Sequence, residues 1–210
     1  METLDVFDEL FNPLDPPIAT IDKVHNDGLW HQTFACWLVN KKDRSIVWQL
    51  RGPRNRIDPG SFDASASGHL SAGENPEHGF RELEEELGVT IEKNKRAYLG
   101  VFRNIAIRNS GKYINHEFCH IYLALSDFGL SDFTLQEGEV DAAYEMNIDE
   151  GIALLSGKKD TVMLKGLETD KNITVKELCN YHERTVVSNY YLKVLTAARD
   201  MLEGRTPLAV

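Results

Sequence analysis

The sequence predicts a mixed α/β sandwich with an N-terminal strand and arm and a C-terminal helical extension. Three observations carry this expectation. Six runs read as strands, one internal segment has both a helix start and a helix stop, and the last segment repeats apolar residues at helical spacing. Their order, β-β-β-α-β-β-β-α-α, is that of a sheet covered by helices rather than a bundle or a barrel.

Leu4, Val6 and Phe7 form a short apolar stretch, read as an edge strand, before the turn-rich Asn12-Pro13-Leu14-Asp15-Pro16-Pro17, read as an ordered arm. Phe34 to Asn40 and Ser45 to Leu50 flank the charged Lys41-Lys42-Asp43-Arg44, which makes them a hairpin. A loop with Pro53, Pro59 and Gly60 follows. Asn75-Pro76-Glu77 offers an N-cap, a proline at the first helical position and an acid at the positive end of the dipole. Gly88 is placed to stop that helix in the left-handed conformation. Arg96–Ile107 and Tyr113–Leu125 read as long strands joined at Asn109-Ser110-Gly111, Glu139–Asn147 as another strand, and Asp149–Leu155 as a short helix. Between Val186 and Leu202, Val187, Tyr190, Tyr191, Val194, Leu195, Ala198, Met201 and Leu202 recur at helical spacing. That helix is expected as a lid on one sheet face, with a homodimer contact as the alternative use. The divisions expected are 1–30 for strand and arm, 31–157 for the core and 158–210 for a helical extension, one domain overall.

Composition bounds the function. The chain has 210 residues, 42% apolar and 27% charged, which suits one globular unit. Its longest apolar run, Phe34 to Val39, is far below the roughly 20 residues of a bilayer span, and its acidic start is unlike a secretory signal. A cytoplasmic protein with no membrane partner is expected. Lys plus Arg total 23 against 33 Asp plus Glu, a charge of −10, which repels phosphate backbones and argues against a nucleic-acid partner. Cys36, Cys119 and Cys179 are widely spaced without a CxxC, so they read as reduced thiols.

The chemistry concentrates in residues 68–89. Residues 74–86 hold six glutamates and one arginine, so half of the net charge sits in 13 residues. At 100° per residue Glu82, Glu85 and Glu86 share one helix face, opposite Phe80, Leu83 and Leu87. Such same-face carboxylates repel by about 0.2–0.5 kcal/mol per pair. Most charge runs are solvated faces, but this spacing also lets oxygen ligands converge on a hard cation such as Mg²⁺.

Gly68, Glu74, Arg81, Glu82, Leu83, Glu85, Glu86, Gly88 and Val89 resemble the Nudix box, G-x5-E-x7-R-E-U-x-E-E-x-G-U with U apolar. One departure occurs: six residues, not seven, separate Glu74 from Arg81, which leaves the Arg81–Val89 block in register and puts the role of Glu74 in question. The resemblance implies an α/β/α sandwich and hydrolysis of X–O–P–O–P–Y by water attack at phosphorus, with Mg²⁺ or Mn²⁺ and a small organic or nucleoside diphosphate as substrate. It implies Glu82, Glu85 and Glu86 as metal ligands, with Ser67 and Glu117 as further oxygen ligands. Arg81 would orient a carboxylate.

Beyond the box, over roughly residues 3–155, His25, Trp30-His31, Phe34, Pro59-Gly60, Ser67-Gly68-His69 and Glu117-Phe118-Cys119 resemble the isopentenyl-diphosphate isomerase branch and its hydrolase relatives. In those isomerases histidines at the places of His25, His31 and His69, with two strand glutamates, bind a second metal. Here Asn115 stands where one of those glutamates would be, and His25 lies one residue closer to His31. A polar cluster beside the pocket is the plainer reading of the three histidines. The isomerase also needs a thiol where this chain has Ser67, and a hydroxyl is far too weak an acid to replace it. Hydrolysis is therefore expected over isomerisation, and over a non-catalytic nucleotide-binding module, which has no need of all three acids. Glu85, Glu117, Glu137 and Glu139 are the candidate general bases, the last two reading better as solvated loop acids. Arg51, Arg54 and Arg56 are candidates to grip a substrate phosphate. Trp30, Phe102 and Tyr113 read as core packing before specificity, His78 and Glu84 as solvent-facing, and His182 gives no signal.

Overall fold

A computed structural model describes residues 2–55, 57–169, 172–179 and 189–206. Its frame is β3 (Trp30–Asn40), a run of aromatic, β-branched and small apolar residues buried along nearly its whole length. On one side β3 pairs in parallel with β8 (Tyr113–Ser126) from Trp30↔His116 to Asn40↔Ser126. On its other side three partners follow in succession. β1 (Thr3–Phe7) pairs at Trp30 and His31, β6 (Ala66–His69) at Thr33 to Cys36, and β4 (Ser45–Arg51) only at Val39 and Asn40.

The expected hairpin therefore forks after two residue pairs. Beyond the fork β4 pairs antiparallel with β9 (Val140–Asn147) and with the two-residue β5 (Phe62–Asp63). β7 (Arg96–Arg108) pairs with β8 along the long hairpin that the sequence predicted.

Alternation along β3 builds two cores. Ala35, Trp37 and Val39 point to one face, with Trp48, Tyr144 and the helices α3 (Ile148–Leu155) and α4 (Asn189–Leu202). Phe34, Cys36 and Leu38 point to the other, against Leu83 and Leu87 of the acidic helix α2 (Arg81–Leu87) and Phe80 just before it. The result is a three-layered α/β/α sandwich, as the strand period of two requires when both faces are covered. Val194, Leu195, Ala197 and Ala198 of α4 are buried inside the chain, so its apolar face serves as a lid on the sheet.

Three expectations need correction. The arm after β1 is itself structured: β2 (Pro13–Thr20) and α1 (Ile21–Asp27) occupy it, so β1 lies between β2 and β3 and the edge strand is β2. Proline is tolerated there because an edge strand leaves one row of donors unpaired. The segment 158–210 is not wholly helical, because β10 (Thr161–Glu168) and β11 (Ile173–Cys179) extend the sheet beyond β9 before α4. Alternate burial of Val162, Leu164 and Gly166 is a strand period, and Gly166 is needed where a Cβ would overlap the Tyr144 ring. Third, the helix expected from Asn75 starts as a 3₁₀ turn, Pro76–Phe80, and becomes α-helical only at Arg81. Asn75 does cap that turn, accepting from the Glu77 N–H at 3.0 Å, and Gly88 closes α2 at φ 72°.

Among the described residues no helix is long and apolar enough to cross a membrane. Cys36 and Cys119 are free thiols. Arg56, His182, Val186 and Val187 lie outside the described residues.

Candidate active site

The fork between β4 and β6 is filled by one side chain of α2. Glu86 Oε2 accepts from Gln49 Nε2 on β4 at 3.0 Å and from the Ser67 backbone N–H on β6 at 3.1 Å. Both donors would otherwise face a gap in the sheet, and an unpaired buried N–H is costly. Burial raises the Glu86 carboxyl to about 8, and the neighbouring Glu82 adds to the rise.

Glu82 lies buried under the same strand. A Cβ at position 68 would overlap its carboxylate, so only glycine there lets β6 cross α2 so closely. Burial lifts Glu82 to about 7, with Arg81 pulling the other way. Arg81 gathers the rest of the acids. Its Nη1 lies 2.7 Å from Glu82 and 3.1 Å from Glu85, its Nε 3.4 Å from Glu74, and its Nη2 donates to the His69 carbonyl at 3.0 Å. Glu74 also accepts from the Ser71 N–H at 2.8 Å. The one-residue shortening therefore leaves Glu74 in contact with Arg81, because the 3₁₀ turn absorbs it. Glu85 is exposed beyond its ion pair, and Glu84 and His78 face solvent.

On the α4 side of the sheet β8 contributes Glu117. Its Oε2 accepts from Asn104 Nδ2 at 2.8 Å across the β7–β8 ladder, where Asn104 and Glu117 are register partners. Burial raises its carboxyl, offset in part by hydrogen bonds from Asn104 and Asn115. Register also places His31 beside Glu117, and His69 beside Thr33 on the same face of the sheet.

His25 of α1 completes a cluster with His31 and His69. One ring nitrogen from each lies within 4.8 Å of the others. Nδ1 of His25 is 3.0 Å from the Ile21 carbonyl and Nδ1 of His31 is 3.1 Å from the Leu29 carbonyl. Each ring thereby turns its Nε2 away from the backbone. Nε2 of His31 and of His69 is buried without a hydrogen-bond partner among the described residues. Burial lowers His31 to about 4 and His69 to about 3, so both rings are neutral near pH 7. Tyr113 stacks on His25 at 4.4 Å.

The arginines divide. Arg51, at the end of β4, donates from Nη1 to Asp63 at 2.7 Å and from Nε to the Ile57 carbonyl at 3.3 Å, within electrostatic reach of Glu86. Arg54 is exposed and donates to the Glu137 carbonyl at 3.1 Å, so it latches two loops instead of facing Glu86. The loop with Glu137 and Glu139 caps α2, through Thr134 N–H to the Leu87 carbonyl and Gln136 N–H to the Glu86 carbonyl. The Glu137 side chain is exposed. Trp30 packs on Phe118 at 4.7 Å and Phe102 on Tyr190 at 4.6 Å.

Sequence reasoning missed three polar partners: Gln49, Asp63 and Asn104. The strand alternation that placed Glu117 could have found Asn104 only with the β7–β8 register in hand. Asp63 had a visible signal, a lone acid four residues before Ser67 in an otherwise small and apolar stretch.

The NUDIX domain family matches residues 29–164. An uncharacterised Nudix hydrolase of Clostridium acetobutylicum is 36% identical over 167 residues, covering 79% of each chain. Isopentenyl-diphosphate Delta-isomerase 1 of Photorhabdus laumondii is 28% identical over 151 residues, which span 71% of this chain and 82% of that one. The crystal structure of DR0079 from Deinococcus radiodurans has the same fold, with a TM-score of 0.56 at 17% identity, covering 75% of this chain and 91% of that one.

Proposed function

Because the chain belongs to the Nudix hydrolase family of pyrophosphohydrolases, we propose that it hydrolyses the phosphoanhydride bond of a small organic or nucleoside diphosphate with Mg²⁺ or Mn²⁺. One observation carries the reading. Glu82 and Glu86 are packed beneath Ser67-Gly68-His69 with raised affinities for protons, and Arg81 offsets the charge of Glu82 only in part. Carboxylates in that condition fit a hard divalent cation, whose charge replaces the water they have lost. Glu82, Glu85 and Glu86 would hold it, with Ser67 as a further oxygen donor, and Glu117, on the opposite face of the sheet, is left free for proton transfer. When bound, it supplies positive charge against the diphosphate and acidifies nearby water.

The chain's own residues do the rest. Arg51 binds a substrate phosphate through the edge of its guanidinium that Asp63 leaves open. Arg81 fixes Glu82 and Glu85 in place. Glu117, kept basic by burial and oriented by Asn104, is the better placed proton acceptor, since Glu85 is engaged by Arg81 in an exposed ion pair. Water forms a bond to phosphorus, the bridging P–O bond breaks, and the proton passes to the glutamate. His25, His31 and His69 form a second metal site of this reading, the imidazoles of His31 and His69 being held in the neutral form that a borderline cation selects.

Hydrolysis is favoured over the isomerisation named for the Photorhabdus relative because Ser67 has no acidic proton to give an alkene carbon near pH 7. The test is incubation with Mg²⁺ and a panel of diphosphates, reading phosphate release. Glu85→Gln and Glu86→Gln should each lower turnover by about 10² or more, an electrostatic loss of a few kcal/mol, with the circular dichroism unchanged. Undiminished turnover in both would remove the site assignment, and turnover in excess chelator would remove the metal.

A further inference from the structure

Arg51 and Glu86 must do opposite work in the same small space. The proposed function needs the Arg51 guanidinium open to a phosphate and the Glu86 carboxylate open to a cation, yet each is the other's natural partner. Arg51 already feels Glu86, after Asp63 the strongest of the acidic groups around it. The Arg51 guanidinium is instead paired with Asp63.

Asp63 sits on β5, opposite Gln49 on the edge of β4 that β9 leaves free, so it lies inside the fork between β4 and β6. Its Oδ1 accepts from the Ala64 N–H at 2.8 Å, which fixes the carboxylate plane. Its Oδ2 accepts Arg51 Nη1 at 2.7 Å and lies 3.4 Å from the Ser67 hydroxyl. The Ile57 carbonyl takes Nε on the same guanidinium. Two of the donor directions of Arg51 are thus tied down by Asp63 and the Ile57 carbonyl, while Glu86 takes neutral donors, Gln49 and Ser67 N–H.

We propose that Asp63 is a positioning residue that holds Arg51 off Glu86, keeping the anion-binding and cation-binding halves of the site from neutralising each other. This rests on the reading of Glu86 as a cation ligand and Arg51 as a phosphate ligand. Removing the charge of Asp63 frees Arg51 to swing onto Glu86, and the two halves fail together. A residue that merely packed the loop would not produce that pairing of defects, and no second mutation in Arg51 would repair it.

The experiment measures Mn²⁺ binding to the full chain without substrate, by the loss of free-ion electron paramagnetic resonance signal, beside the kinetics. Asp63→Asn should weaken Mn²⁺ binding and raise KM by about tenfold each, the worth of one charge-assisted hydrogen bond, with kcat within about threefold. In the double variant Arg51→Ala/Asp63→Asn, Mn²⁺ affinity should return to within about twofold of the starting protein while KM stays high. Asp63→Glu keeps the charge and should retain Mn²⁺ affinity. An unchanged affinity in Asp63→Asn, a double variant as weak as the single, or an equal loss in Asp63→Glu would each overturn the role of Asp63. Failure of the unmodified chain to bind Mn²⁺ at all would instead overturn the proposed function.

Discussion

Burial works against the ionised forms of Glu82 and Glu86, and that cost can be measured. Glu86 is raised from the ordinary 4.5 to about 8, chiefly by burial. A carboxyl held more tightly as the acid in the folded state favours folding while protonated. The contribution is therefore fully present below pH 4.5 and is lost as pH rises through 8. Each tenfold change in proton affinity is worth about 1.4 kcal/mol. The full effect would approach 5 kcal/mol by that factor, and solvent reaching part of the carboxylate reduces it to about 2–3 kcal/mol. For a chain of this size that is about 5–10 °C in Tm.

Buried His31 and His69 gain stability over the same range because their neutral forms favour folding, so the Glu86 contribution is read as a difference: the Tm of metal-free Glu86→Gln minus that of the unsubstituted chain should rise from pH 5 to pH 8. The substituted amide keeps an oxygen to accept from the Ser67 N–H, so the variant loses charge without losing its contact in the fork. It should exceed the unsubstituted chain in Tm at pH 8. Mg²⁺ at a hundred times its dissociation constant should raise the unsubstituted chain by about 2.7 kcal/mol and the variant by far less. Differential scanning calorimetry at four pH values, with chelator and with Mg²⁺, measures all of this. A Glu86→Gln variant with the same pH slope, or one less stable at pH 8, would refute the claim that Glu86 is held at electrostatic cost.

Two further outcomes follow from the geometry. Gly68→Ala places a methyl group into the Glu82 carboxylate and should lower turnover at least about tenfold while Tm falls by only a few degrees, since Glu82 can swing out and no core is opened; normal turnover would show that Glu82 need not lie under β6. His31→Ala and His69→Ala should each remove one bound equivalent of Zn²⁺ or Mn²⁺ by equilibrium dialysis and leave the α2 site loaded, and an unchanged stoichiometry would make the histidines a satisfied polar cluster.

What could be read from the sequence was whatever lies close along the chain. The α2 acids, the Gly88 stop, the long β7–β8 hairpin and the common face of Glu117, Asn115 and Cys119 all follow from spacing and turn residues within some thirty positions. The fork was hidden, because Ser45–Leu50 and Phe34–Asn40 look like an ordinary hairpin and nothing local says that β4 leaves β3 beyond Val39 and Ile46. The partners of Glu86 were hidden with it, since Gln49 is 37 residues away and Ser67 gives a backbone N–H that no side-chain pattern reports. β10 and β11 escaped because Thr161–Glu168 buries every second residue only by joining β9, a pairing between segments whose alternation is weak in isolation. The partner of Arg54 was hidden for a similar reason: three arginines precede the glycine loop, but the Glu137 carbonyl that Arg54 meets lies 83 residues away.

The fork also bears on which reaction this member of the fold can perform. Proton exchange at an alkene carbon needs an acid of moderate strength aimed into the cleft from the position of Ser67. Here that position has a hydroxyl, its backbone N–H is committed to Glu86, and its Oγ sits 3.4 Å from the Asp63 carboxylate. A neighbouring carboxylate makes any hydroxyl a still weaker acid, because the alkoxide would face a like charge. The environment therefore moves Ser67 further from acid chemistry than the loss of sulfur alone. The same two carboxylates, Asp63 and Glu86, flank Ser67: one accepts from the Arg51 guanidinium and the other from Gln49 and the Ser67 N–H. Ser67 is placed to tie β6 to both, and a thiol at Ser67 would sit between two negative charges that resist the thiolate. Restoring cysteine at that single position should therefore yield no isomerase, and detectable isomerisation by Ser67→Cys would show that the carboxylates do not govern the chemistry there.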